Sequence, residues 1–185
     1  MKRFGIGPYH VQFNLNLPAS LFSEKDGNSF VLEMADLEYQ PIAVFTFLTQ
    51  VADGLWDNDN ASIYRNAIHL LQIQSDISKN EEHMPFEELP HADFTHGLYT
   101  VGYASKGGSW FIDLKSENKK IHKKLPCFAK VIQGHELITK IHESIPTDHD
   151  AEQHDYIFEP IQITNAFIIR DETPKNADSI YQNQS

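Results

Sequence analysis

The side chains best suited to chemistry in the first half of the chain are Arg65 and the two amides that follow it. Gln72 and Gln74 point to the same side of a predicted strand, while Leu71 and Ile73 point to the other side. A guanidinium donates hydrogen bonds, and an amide both donates and accepts them. Because a lone arginine is usually a surface charge with its stem packed on apolar neighbours, these residues alone assign no function.

Ten histidines raise the question of a metal site, and the acidic segment 148–155, which contains two of them, is the main candidate. Carboxylates and imidazoles at such spacings can bind a divalent cation, but no helical or strand spacing brings these ligands together. We therefore predict a hydrated acidic loop and no metal site.

A serine, a pair of glycines and the cysteine could each indicate a reactive or binding site, but their neighbouring residues argue against it. Ser109 lacks the flanking residues of a strained nucleophile turn, and Gly107 and Gly108 lack the pattern of a phosphate-binding loop. Cys127 is the only cysteine and lies in an apolar run, which predicts a buried structural thiol.

The bulk composition indicates one globular domain. The chain has 185 residues, of which 41% are hydrophobic and 11% aromatic, so it can bury one sizeable core. We predict a single domain over residues 1–185, with its core at about 11–169 and a polar tail at 170–185. The net charge of −11 argues against nucleic acid as a partner, because binding to phosphates needs a basic face. The compartment and any removed targeting segment stay open, and a secretory or membrane-anchored origin is compatible with the sequence.

Alternating hydrophobicity predicts many short strands and only two helices. Residues 10–17 and 29–34 form the first strand pair, and further strand-like runs occupy 63–64, 70–73, 99–103, 110–114, 127–132 and 157–169. Helices are predicted at about 42–52, following Pro41, and at 134–144. So few helices favour a closed barrel over a doubly wound sheet, which needs a helix after each strand.

Two phrases in the second half resemble those of a known family. Residues 107–114 read Gly-Gly-Ser-Trp-Phe-Ile-Asp-Leu, and residues 126–134 read Pro-Cys-Phe-Ala-Lys-Val-Ile-Gln-Gly. They are similar to the Asn-Gly-Ser-Gln-Phe-Phe-Ile and Phe-Gly-Lys-Val-x-x-Gly segments of cyclophilins, the peptidyl-prolyl cis-trans isomerases. The resemblance runs from about Val11 to Ile169. It implies a mainly β fold, a closed eight-stranded antiparallel barrel capped by two helices.

The resemblance also implies catalytic residues. Arg65 occupies the position of the family's catalytic arginine, with Tyr64 in place of the preceding histidine. A one-residue deletion in the following turn matches residues 69–72 to the family's Phe-Met-x-Gln, which makes Gln72 the amide that orients the substrate. An ungapped alignment instead puts Ile73 there, and we prefer the deletion because turns absorb length changes more easily than strands.

Other positions of the implied substrate groove are replaced. Gly102 stands for an alanine and Tyr103 for the asparagine that holds the substrate backbone, while Trp110 stands for a second glutamine. Trp110 and Phe111 alternate along a strand, so one of them faces the core and the other the groove, and only the resemblance indicates which. Leu125 falls at a pocket histidine, although His122 is an alternative. The full set of predicted substrate-binding residues is Leu70, Gly102, Tyr103, Trp110, Phe111, Ile112 and Leu125.

The expected function is therefore binding of proline-containing peptide segments with weak peptidyl-prolyl isomerase activity. The alternative is a cyclophilin-like protein-binding module without catalysis. Neither needs a cofactor or a metal, and we expect a monomer that binds cyclosporin weakly or not at all.

Overall fold

The computed structural model describes residues 3–5, 7–57, 60–75, 88–104, 108–148 and 155–169. The rest of the chain lies outside the described residues. This includes most of the acidic segment 148–155, most of the acidic loop 80–88 and the tail 170–185.

The described residues form nine strands, three α-helices and one turn of 3₁₀-helix at Glu24–Asp26. The strands are β1 (His10–Asn16), β2 (Ser29–Met34), β3 (Ala61–Ala67), β4 (Leu70–Ser75), β5 (Thr100–Ala104), β6 (Ser109–Asp113), β7 (Cys127–Gln133), β8 (Thr147–Asp148) and β9 (Tyr156–Ile169). The helices are α1 (Pro41–Ala52), the single turn α2 (Asn118–Ile121) and α3 (His135–Ser144).

Eight of these strands close into one antiparallel barrel. Around the ring the order is β1-β2-β7-β5-β6-β4-β3-β9, and β9 pairs with β1 to complete the circle. The two-residue strand β8 adds to β9 outside this ring. Closure leaves no edge among the eight strands, and the predicted barrel with two capping helices is confirmed.

Helix α1 begins where the sequence predicts, but a distant residue stabilises its start. Pro41 occupies the first turn, where its missing N–H is not needed. The Gln40 side chain makes no capping hydrogen bond. Instead, the Glu88 carboxylate accepts hydrogen bonds from the backbone N–H groups of Ile42 (2.8 Å) and Ala43 (2.6 Å). A negative charge is favourable at this end of the helix dipole.

Helix α3 is attached to the barrel through a glycine that cannot be replaced without strain. Gly134 has φ +86°, and a Cβ there would lie 2.7 Å from the Phe30 Cβ. Glycine adopts this conformation without strain and leaves room for the close approach.

Apolar residues of the predicted strands and helices form the core of the domain. Val11, Phe13, Leu15, Phe47, Leu48, Phe128, Val131, Leu137 and Ile141 all belong to the main hydrophobic cluster. No helix among the described residues is long and apolar enough to cross a membrane.

Candidate functional site

One row of outward-facing positions crosses the barrel wall from β9 to β7. Strand register pairs its members in the order Tyr156, Arg65, Gln72, Phe111, Gly102 and Cys127. Directly paired residues in antiparallel strands project to the same face. The register thus brings Arg65, Gln72 and Phe111 side by side, although 46 positions separate Arg65 from Phe111 in the sequence.

Arg65 lies at one end of a polar chain of hydrogen bonds. Its Nη1 donates to Gln72 Oε1 at 3.3 Å, and Gln72 Nε2 donates to Ser109 Oγ at 3.1 Å. The Ser109 hydroxyl in turn donates to the Ala104 carbonyl oxygen at 3.4 Å. The Gln72 amide therefore has a fixed orientation, with its oxygen toward the guanidinium.

A bulge in β3 turns Tyr64 toward the same side as Arg65. Ile63 and Arg65 pair with the consecutive residues Ile73 and Gln72 of β4, so Tyr64 is the extra residue in β3. Its ring stacks on Tyr156 with centroids 6.0 Å apart. Partial burial raises the pKa of Tyr64 to about 12, so this phenol stays neutral beside the guanidinium.

The apolar part of the row is a small cluster separate from the main core. Ala67, Leu70 and Phe111 are its buried members, and Ala104 and Leu125 pack against them. The ring of Phe111 is only 1% exposed. Leu70, Phe111 and Leu125, which were predicted to line the groove, lie together in this cluster.

The predicted place of Trp110 in the groove is wrong. Trp110 is fully buried inside the barrel, where its indole contacts the rings of Phe13, Phe47 and Trp56 at centroid distances of 5.2 to 6.0 Å. Successive residues of a strand point to opposite faces, so Trp110 and Phe111 cannot both face the groove.

Tyr103 and Ile112 are corrected for the same reason. Both are fully buried members of the main core. Tyr103 stacks on Phe128 with centroids 4.5 Å apart, and its hydroxyl donates to Gln50 Oε1 at 3.2 Å. Burial raises the pKa of Tyr103 well above its ordinary value. Neither side chain can touch a ligand on the outside of the barrel.

Ser109 is the outward-facing residue beside Gln72 that sequence reasoning missed. It lies two positions before Phe111 on β6 and therefore on the same face. The alternation of β6 was the signal that could have found it.

Gly102 lies directly beneath the rings of His96 and Phe111. A Cβ at this position would lie 2.4 Å from His96 Cε1 and 2.8 Å from Phe111 Cζ. The absence of a side chain lets the His96 ring stack on Phe111, with centroids 5.5 Å apart and planes at 23°. The next member of the row, Cys127, is buried as predicted, and burial raises its thiol pKa to about 12.

The sequence matches no model of a protein family, and no curated protein is similar enough to be matched to it. Among solved structures, the barrel is similar to a cyclophilin-type peptidyl-prolyl cis-trans isomerase of Cryptosporidium parvum. The TM-score is 0.70 at 16% sequence identity, over 88% of this chain and 98% of that one. The same TM-score, identity and share of this chain are found for a structure of that enzyme obtained in the presence of the dipeptide Ala-Pro, covering 99% of its chain.

Strand order, closure and the two capping helices agree with this similarity over nearly the whole length of the isomerase. The chain therefore has the fold of the cyclophilin-type peptidyl-prolyl isomerases.

Proposed function

We propose that this domain binds proline-containing peptide segments in the groove of Arg65 and Phe111 and isomerises X–Pro bonds at a low rate. The hydrogen bond from Arg65 Nη1 to Gln72 Oε1 carries this proposal, because it fixes the guanidinium beside the apolar cluster of Phe111. A proline ring resting on that cluster would bring its amide nitrogen toward Arg65.

The reaction requires only that the amide be twisted. Rotation about a peptide bond has a barrier of about 18–20 kcal/mol, because the nitrogen lone pair is delocalised into the carbonyl. As the bond twists, the lone pair of the proline nitrogen becomes available and can accept a hydrogen bond. The hydrogen bond from a guanidinium held at that point is stronger in the twisted state than in either planar isomer. It therefore lowers the barrier to rotation.

Two features support a low rate. Phe111 is almost wholly covered, so a proline ring gains little contact area without movement of Leu70 or Leu125. Ser109 offers a short hydroxyl where a longer amide would reach the peptide backbone. The same two features weaken the fit for cyclosporin, and we propose weak or absent binding of that drug.

An NMR exchange assay on a set of X–Pro peptides tests the proposal. We expect cis–trans exchange that is faster than the uncatalysed rate and disappears in Arg65→Ala. The control variant Lys140→Ala removes a cation of helix α3 that pairs with Asp26, and it should leave the exchange rate unchanged. Peptide binding without any exchange would instead favour the non-catalytic module, and neither binding nor exchange would refute both functions.

A further inference from the structure

A buried carboxylate lies directly behind the apolar cluster. Asp113, at the end of β6, is fully buried. His96 Nδ1 lies 2.7 Å from its Oδ2, and His122 Nδ1 lies 2.8 Å from its Oδ1. Asn118, in the α2 turn, donates its amide to Oδ1 as well. The Thr100 hydroxyl oxygen lies 2.9 Å from Oδ2. Four side chains thus converge on one carboxylate, and we call this group the Asp113 hub.

His96 links the Asp113 carboxylate to the backbone. Its Nε2 lies 3.1 Å from the Leu125 carbonyl oxygen, while its Nδ1 faces the Asp113 carboxylate. Burial alone would raise the pKa of Asp113, but hydrogen bonds from His122 and His96 outweigh it and hold this pKa below its ordinary value.

The two imidazoles of the hub enclose Phe111. The His96 ring stacks on it, and the His122 ring packs against it with centroids 4.4 Å apart. His96 also fills the space above Gly102. Neither imidazole can shift without losing its hydrogen bond to Asp113. The carboxylate therefore fixes the positions of the two rings that contact Phe111.

We propose that Asp113, acting through His96 and His122, is the positioning residue that sets the place of Phe111 in the groove. The expected effect on peptide binding rests on the proposed function, since a displaced Phe111 would weaken the binding of a peptide in the groove. Arg65 lies outside the hub, so the donor to the twisted amide would stay in place.

The hub is built as a hydrogen-bonded support and not as a cation site. The two imidazole nitrogens bond to different oxygens of the carboxylate. A single cation would instead need both nitrogens and one oxygen to point to the same place. Asn118 adds a further hydrogen-bond donor to the Asp113 carboxylate.

The test uses Asp113→Asn and the matched control Glu88→Gln, which makes the same chemical change at the start of α1. An asparagine turns an amide donor toward groups that are already donors, so at least one imidazole is released. We expect the Phe111 ring resonances, assigned by Phe111→Leu, to shift in Asp113→Asn and not in Glu88→Gln. We expect KM for a proline peptide to rise about tenfold, the scale of one lost buried hydrogen bond, with kcat within about twofold.

A second pair of variants decides the matter if Asp113→Asn does not fold. His122→Leu should shift the Phe111 ring resonances and raise KM. His122→Asn, whose amide can take the place of Nδ1, should retain the wild-type resonances and the wild-type KM. Unchanged Phe111 resonances in a folded Asp113→Asn or in His122→Leu would overturn the inference. So would stoichiometric Zn²⁺ binding that His122→Leu abolishes. If the wild-type protein shows no isomerase activity, the proposed function fails, but the Phe111 resonances still test the hub.

Discussion

Trp110 and Phe111 are consecutive residues whose side chains lie on opposite sides of the barrel wall. The indole packs among Phe13, Phe47 and Trp56 inside the barrel, whereas the Phe111 ring lies outside with Leu70. One peptide unit of β6 therefore separates the centre of the hydrophobic core from the candidate peptide groove. A substitution at Trp110 tests stability, and one at Phe111 tests binding.

Trp110→Gln should destabilise the fold and should not restore activity. The change leaves a cavity in the core and buries an amide, which we expect to lower the free energy of unfolding by about 3–5 kcal/mol. Urea denaturation followed by far-UV circular dichroism measures this. A variant with wild-type stability and faster isomerisation would mean that Trp110 faces the groove after all.

Ser109→Gln places an amide on the outer face of the same strand. Because Ser109 already accepts a hydrogen bond from Gln72, a glutamine carbonyl can keep that bond while its NH₂ reaches toward a peptide. We expect kcat/KM to rise about fivefold, the effect of about 1 kcal/mol from one added hydrogen bond. The companion variant Ser109→Ala removes the bond to Gln72 and should lower kcat/KM; a rise in both variants would show that bulk, and not the amide, matters.

Arg65→Ala should reduce kcat/KM by about 10²–10³-fold, the usual scale for loss of one preorganised donor. Arg65→Lys keeps the charge but not the planar guanidinium that reaches Gln72, so it should recover only part of the rate. Both are measured by the exchange assay. Equal rates in the wild type and Arg65→Ala would remove Arg65 from the mechanism.

The contribution of Asp113 to stability should depend on pH. Its pKa is lower in the folded protein than in the unfolded chain, so folding favours the ionised form. That contribution is complete above the ordinary aspartate pKa of about 3.9 and is lost as pH falls through the lower folded-state value. The difference in unfolding free energy between wild type and Asp113→Asn should thus narrow as pH is lowered from about 5. Urea titrations at a series of pH values measure it, and a constant difference would contradict the stabilisation of the ionised Asp113 carboxylate.

The sequence by itself determined the architecture, because strand alternation, helix spacing and turn residues are local signals. The predicted strand at 29–34 has the bounds of β2, and the predicted helix at 134–144 starts one residue before α3. Arg65 and Gln72 could be paired from the sequence because one short turn joins β3 to β4. The two-residue β8 and the single turn α2 were missed, since neither is long enough to show a period.

Only the tertiary structure decided which side chains share the groove. Ser109 and Trp110 differ by one position, and an alignment error of one residue moves a side chain to the other face of a strand. The Asp113 hub had no local signal at all, because His96, Asp113 and His122 come from three segments that meet only when the barrel closes. Local pattern fixes which residues can form a strand, whereas contact between distant segments depends on register and closure, which the whole chain sets together.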